Sequence, residues 1–384
     1  MRPTALKLTA LLVLCNFTIA AFSQDKINVT TTAVPFLRIS PDARAGGMGD
    51  LGVATSPDAS AGFWNIGKVA FNESKGGIAA TYTPWLKNLV NDVYLASLSG
   101  YYKFDENQAI NVGLRYFSLG NIQFTDQNGN INGNGKPREF GLDVGYSRRL
   151  TSKLGLGVAL RYINSDLASG AVSGSNTYKV GSSVAGDIGL YYDGKSEAGD
   201  GFTFGATMTN LGAKISYTDN ADQKDFIPAN LGLGFTWNKG FNDQNKLTLG
   251  VDFNKLLVPS LEGNPPSQQD IDNYRKKGVP GSWFSSFSDF PGQANVSLGA
   301  EYWYNNQFAF RAGYFWEDKT RGNRRYFTAG LGLKYNIFGL NFSYLAPSGS
   351  GVTQNPLSNT LRFSILFDLD GGDDASSSSS SSTN

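Results

Sequence analysis

Six residues, Gly47-Met48-Gly49-Asp50-Leu51-Gly52, carry the spacing G-x-G-x-x-G. The amides of such a turn can cradle a pyrophosphate, provided that a buried strand leads in and a helix leads out. Neither neighbour qualifies here. Pro41 breaks the approach, "LRISPDARAG", and Pro57 interrupts the segment that follows. These glycines are expected instead to let an irregular backbone turn tightly in a confined space. A second candidate is a calcium loop, because Asn128, Asn130, Asn132, Gly133 and Glu139 keep the spacing N-x-N-x-N-G-x5-E. The leading position holds Asn rather than Asp, Lys136 puts a cation at the ninth, and strands flank the stretch. A solvated Asn-Gly hairpin loop is the better expectation.

Enzyme chemistry is narrowed further by the absence of histidine. There can be no Ser-His-Asp triad, no Cys-His pair and no His-ligated zinc or haem. Nothing marks a carboxylate pair or a Ser-Lys arrangement, so we expect no enzyme, and assign no catalytic, cofactor or metal residue. The remaining candidates bind rather than react. In the stretch Pro259–Pro291 a polar, Pro-rich part runs into "PGSWFSSFSDFPG", which places Trp283, Phe284, Phe287 and Phe290 on one long loop. Aromatics exposed on such a loop are either anchors for a protein partner or a lid over a mouth. Trp85 and Leu86, in an earlier loop, are further contact candidates; for Trp85 an interfacial girdle position competes.

The elements that must hold these residues follow from composition and period. Arg2 and Lys7 precede an apolar run, Leu8 to Ala21, and Ala21 and Ser23 suit a signal-peptidase site, so residues 1–23 read as a signal peptide. Cys15 is then incidental, since Leu14 is not a lipobox residue, and the mature chain from Gln24 has no cysteine. It enters an oxidising compartment without disulfides. The net charge of +1 gives no case for nucleic acid. With 46 Gly, 26 Phe, 18 Tyr and only 17% charged residues, the composition suits strands with one face in lipid and one in a lumen.

From Gly76 the period is two. Phe140, Leu142, Val144 and Tyr146 share one face while Gly141, Asp143, Gly145, Ser147 and Arg149 share the other; "KLGLGVALRYI" and "KLTLGVDFN" repeat the theme. Such segments lie near 76–86, 91–104, 107–119, 138–150, 153–166, 178–193, 200–212, 229–237, 246–255, 294–305, 307–316, 325–336, 338–346 and 359–369. Joins at Asp105-Glu106, Thr151-Ser152, Asn306 and Ile337 are tight. Those at 120–137, 213–228 and 256–293 are long. That asymmetry predicts an all-β protein, a 14-stranded antiparallel transmembrane β-barrel in the outer membrane, rather than a soluble sandwich. Tyr82, Trp85, Tyr101, Tyr102, Tyr191, Tyr192, Trp237, Tyr302, Trp303, Tyr304, Tyr314 and Trp316 near strand ends fit interface girdles. Residues 24–75, without a sustained period, precede the barrel at 76–370 and are expected to start in the periplasm and fold into the lumen as a plug. Both termini are expected to be periplasmic. Residues 371–384, "GGDDASSSSSSSTN", read as a disordered tail.

"FLRISPDARAGGMGDLGVATSPDASAGFWN", "TPWLKNLVND", "NQAINVGLRYFSLGNI", "DFNKLLVP", "SLGAEYWYNNQFAFRAGYF", "YFTAGLGLKYN" and "NPLSNTLRFS" resemble, in matching order from about Thr32 to Asp370, the PorV (LptO) family of the Bacteroidetes type IX secretion system. The resemblance implies a barrel related to the FadL-type fatty-acid transporters, with the N-terminal segment inside. It also implies partners: the large translocon barrel, the common C-terminal domain of secreted cargo, and the surface attachment machinery with its sortase, all amid outer-membrane lipid. The chain departs from the family where Ile66-Gly67 follows Asn65, and in its serine tail. A FadL-like transporter of hydrophobic molecules is the alternative, and it predicts an apolar pocket beneath the outer loops and a gap in the wall.

Overall fold

The computed structural model describes residues 31–85, 92–125, 128–173, 176–219, 223–261, 266–289, 294–318, 322–348 and 360–369. The signal segment, the tail, Leu86 and Phe290 lie outside them. Fourteen strands close into one antiparallel barrel in which each pairs with its neighbours in sequence and the last returns to the first. They are β1 (Gly76–Pro84), β2 (Val93–Asp105), β3 (Gln108–Leu119), β4 (Arg138–Arg149), β5 (Leu154–Asp166), β6 (Gly181–Asp193), β7 (Gly201–Gly212), β8 (Asn230–Gly240), β9 (Asn245–Leu256), β10 (Ala294–Tyr304), β11 (Phe308–Glu317), β12 (Arg325–Tyr335), β13 (Phe338–Pro347) and β14 (Thr360–Asp368). Closure satisfies the ladder without leaving an edge, as a wall in hydrocarbon requires.

The two faces of the wall are inverted relative to a soluble protein. On β4, Leu142, Val144 and Tyr146 are exposed, while Glu139, Asp143 and Ser147 are buried. On β5, Val158 and Leu160 face out and Arg161 faces in. Outward apolar residues lose water only when acyl chains cover them, which is why this alternation belongs in a bilayer. The connections sort by side. Turns 106–107, 150–153, 194–200, 241–244, 305–307 and 336–337 close one end; the described parts of the longer connections, 120–125, 128–137, 167–173, 176–180, 213–219, 223–229, 257–261 and 266–289, lie at the other. In the long connections, Ile122–Thr125 pairs with Ile131–Gly135 and Ile215–Ser216 with Lys224–Asp225 as small hairpins. The segment 257–293 carries helices α3 (Gln268–Lys276) and α4 (Val279–Ser285). Ser267 starts α3 with a capping box closed by Asp270.

The aromatic pairs obey the period more strictly than a girdle does. Tyr102 and Tyr192 are exposed to the bilayer side, whereas their neighbours Tyr101 and Tyr191 are buried in the lumen. Trp85 departs from the girdle expectation too. Its ring packs inward, edge-on to Phe117 at 6.3 Å, and against Phe315, Tyr326 and Leu345. It seals the mouth between β3 and the β11–β13 wall.

Residues 31–75 occupy the lumen. A 3-10 turn (Pro35–Arg38), α1 (Ala43–Gly47), α2 (Ala61–Trp64) and a 3-10 turn (Ile66–Phe71) are joined by irregular backbone. Helix α1 lies against β11 to β14, while the turn Ile66–Phe71 lies against β3 to β6 across the lumen. The wall admits this backbone by presenting glycine. A Cβ on Gly313 would stand 2.1 Å from the Met48 carbonyl carbon, and one on Gly157 would stand 2.6 Å from that of Ile66.

The described part of this segment starts at the long-loop end of the barrel. Val34, Phe36 and Leu37 pack among Val93, Phe117, Ile163 and Ile227, at the long-loop ends of the strands. The apolar side chains of residues 34–37 find their cover only there, because the opposite mouth is lined by charged residues such as Lys239, Lys334 and Asp368.

Candidate functional site

The opening glycines meet a carboxylate, not a phosphate. Gly49 has φ of 70° and its absent Cβ would press on Tyr314 and Leu298 backbone atoms at 2.8–2.9 Å, so the turn needs glycine there. The amides of Gly52 and Val53 both donate to Asp252 Oδ2 on β9, at 2.7 and 2.8 Å. Gly49 N–H donates to Thr328 Oγ1 at 2.8 Å. Each of these donors would be orphaned in a dry lumen, and the wall supplies the acceptor.

Ion pairs bolt the plug to the wall. Arg44 makes a bidentate contact with Glu301 on β10 (Nε–Oε2 2.9 Å, Nη2–Oε1 2.8 Å) and also reaches Asp58 at 2.9 Å. Glu301 is shared with Arg311 of β11 at 2.6 Å. Asp50 accepts from Arg362 at 2.9 Å and from Tyr326 at 2.7 Å. Arg38 and Arg324 flank Glu317 at 3.3 and 2.7 Å. On the opposite wall Arg161 joins Asp143, Asp187 and Asn210. Buried pairs of this kind contribute little net stability but are costly to break singly, so they fix position.

Lys68 is a buried cation whose acceptors are neutral. Its Nζ donates to Gly52 O at 2.6 Å, Thr55 O at 3.2 Å and Thr55 Oγ1 at 3.0 Å. Burial lowers its pKa to about 8, against the opposing pull of Asp58 and Asp252. Because the folded value lies below the unfolded 10.5, the folded state binds this proton less readily. The resulting penalty is present in full below about 8 and is relieved as pH rises to 10.5. Thermal stability of the barrel is therefore expected to gain a Lys68 contribution over that window. Melting curves of wild type and Lys68→Met across it check this; equal pH slopes would remove Lys68 from the account.

Among the described residues, two cavities of the lumen bear on function. One of about 690 Å³ opens at the short-turn end, lined by charged groups including Arg44, Asp58, Glu301 and Lys334. The other, about 130 Å³, lies under the long loops, with Asn210, Asn230, Asn254 and Asn295 on its lining beside Leu37, Val53, Phe63, Trp64 and Phe315. Its lining is mixed, and its volume falls below the roughly 300 Å³ at which ligand pockets begin.

The long-loop face carries exposed aromatic side chains away from the wall. Phe284 on α4 is 78% exposed, and Phe287, in the following 3-10 turn, is 46% exposed with Lys255 Nζ 5.6 Å from its ring. Trp283 is half-buried. The three are held on a built platform, not on a loose loop. Tyr274 of α3 packs edge-on to Phe226 at 5.2 Å, and Lys214 Nζ donates to the carbonyls of Arg275 and Lys277 at 2.7 and 2.6 Å. Trp283 and Phe284 lie on α4 and Phe287 on the 3-10 turn after it, whereas Trp85 lies apart from them, half-buried against Phe117 and Phe315. The calcium-like spacing is not a cage. Glu139 points into the lumen and accepts from Ser165 Oγ at 2.6 Å, away from the 122–135 hairpin. Among the described residues no cluster of acidic, His or Cys side chains could hold a metal.

Sequence reading missed the bolts. Asp143, Arg161 and Asp252 stood on the glycine-rich face of their strands, and ionisable groups facing inward from a membrane wall are signals by themselves. The plug amides that Asp252 meets, Gly52 and Val53, and the partners Arg161 finds on neighbouring strands could not be read from spacing.

This geometry defines a class: an outer-membrane barrel with a plugged lumen, sharing the fold of known hydrocarbon transporters. The toluene transporter TbuX of Ralstonia pickettii is similar over 85% of this chain and 97% of its own, with 13% identity and a TM-score of 0.56. The toluene transporter TodX of Pseudomonas putida is similar over 89% and 98%, with 13% identity and a TM-score of 0.52. No curated protein matches in sequence. The chain itself belongs to the PorV family: residues 22–263 match the family described as type IX secretion system protein PorV. It is an outer-membrane component of that system, and the family is one of secretion, not catalysis.

Proposed function

We propose that this barrel is a carrier within type IX secretion, binding the translocon barrel and receiving cargo by its common C-terminal domain. It then delivers the cargo to the surface attachment complex and its sortase. The observation that carries this reading is the pairing of a bolted lumen with a firmly mounted aromatic patch on the long-loop face. A wall filled by its own N-terminal segment serves poorly as a conduit. A rigid patch of Phe284, Phe287 and Trp283 serves well as an anchor, since aromatic side chains dominate hot spots. The long-loop end is read as extracellular, as the asymmetry of outer-membrane barrels predicts.

The second reading, a transporter of hydrophobic small molecules, draws on the fold shared with the toluene transporters. The small volume of the cavity beneath the loops, about 130 Å³, weighs against it. Affinity capture of the tagged protein from solubilised outer membrane separates the two. Co-purification of the translocon and of cargo sharing a C-terminal domain is expected. Recovery of bound lipid alone, with secretion intact in a deletion strain, would sink the proposal.

A further inference from the structure

We infer that the N-terminal segment threads the whole barrel, so that Thr31 is displayed on the cell surface and the plug is held at both mouths. At the long-loop end the segment is tied to two outer elements. Ala33 N–H donates to Phe226 O at 3.0 Å, and Tyr274 of α3 donates to Thr31 O at 3.3 Å. Val34 is buried beneath them, whereas Thr31 is exposed. At the short-turn end the same segment is tied again. Lys103 Nζ donates to Asn72 O at 3.0 Å, Tyr101 OH donates to Ser74 O at 3.2 Å, and Lys103 N–H donates to Lys75 O at 2.7 Å.

A plug anchored at one mouth can swing out of that mouth when its bolts yield. One anchored at both must first break its ties at one mouth and then drag that end through an occupied lumen. Residues 31–33 consequently join the 213–229 connection and α3 as part of the outer platform that carries Phe284 and Phe287. The N-terminal segment becomes a component of the docking face as well as the stopper. Traffic through the system must then pass over this barrel, not through it.

The inference rests on the reading that the long-loop end faces outward, and the test separates the two. The only cysteine, Cys15, lies in the predicted signal segment, so single cysteines are clean reporters. Thr31→Cys is compared with Ser169→Cys, in a long connection, and Glu106→Cys, in a short turn, using a membrane-impermeant maleimide on intact cells. Heat-modified migration confirms that each variant is folded. Labelling of T31C and S169C in intact cells, with E106C reactive only after the outer membrane is permeabilised, is the expected result. Labelling of S169C but not T31C in intact cells would overturn the threading. Labelling of E106C with S169C silent would overturn the orientation, and surface display of Thr31 with it.

Discussion

Glu301→Ala is expected to loosen the plug and to turn a quiet barrel into a leaky one. The substitution strands two guanidiniums, Arg44 and Arg311, that are both largely buried and both aimed at the lost carboxylate. Removing one partner of a buried pair costs about 3–5 kcal/mol, chiefly because the remaining charge is left without an acceptor. Arg44 keeps Asp58, and Arg311 keeps Asn341 at 2.9 Å, so the loss belongs at the lower end of that range. Glu301→Gln retains an acceptor and should fall between the two. The readouts are the temperature at which the barrel unfolds in detergent and single-channel conductance in planar bilayers. An unchanged melting temperature and a silent bilayer for E301A would mean that the pair does not hold the plug.

The largest effect on function is expected from Phe284→Ala combined with Phe287→Ala. Both rings are exposed and both stand on a segment braced by Ser282 Oγ donating to Gly278 O at 2.7 Å and Ser286 Oγ donating to Trp283 O at 2.7 Å. Truncating a hot-spot aromatic typically costs on the order of 2 kcal/mol, so the pair should weaken partner association by at least about a hundredfold. Solubility and barrel stability should hold, since neither ring belongs to a buried cluster. Quantitative capture of translocon and cargo by wild type and variant checks this. Undiminished capture would move the docking face elsewhere on the long loops.

Much of the wall was legible because period two leaves no freedom. Once Leu142 and Val144 point to lipid, Gly141, Asp143 and Gly145 must point inward, and the inverted burial follows. The same rule, applied residue by residue, would have split Tyr101 from Tyr102 and Tyr191 from Tyr192. Reading them as girdle pairs averaged over two environments. The long connection 257–293 hid its helices because its Pro and Gly content resembles open loop; the pair Ser267 and Asp270, three apart, was the available cue for α3. Trp85 was misread for a different reason. Its place at a strand end fits a girdle, and only the closing of the barrel brings Phe117, Phe315 and Leu345 around it. Long-range partners such as Arg44 with Glu301 leave no mark in local spacing.

The bare glycines of the wall have a consequence for biogenesis. Gly313 and Gly299 accept the plug's main chain where any side chain would collide with it, and β14 reaches β1 only after twelve other strands have wrapped around. A segment tied at both mouths could enter a finished cylinder only by threading it from end to end. We expect it instead to be enclosed while the sheet curls, as a mandrel on which the strands are wound.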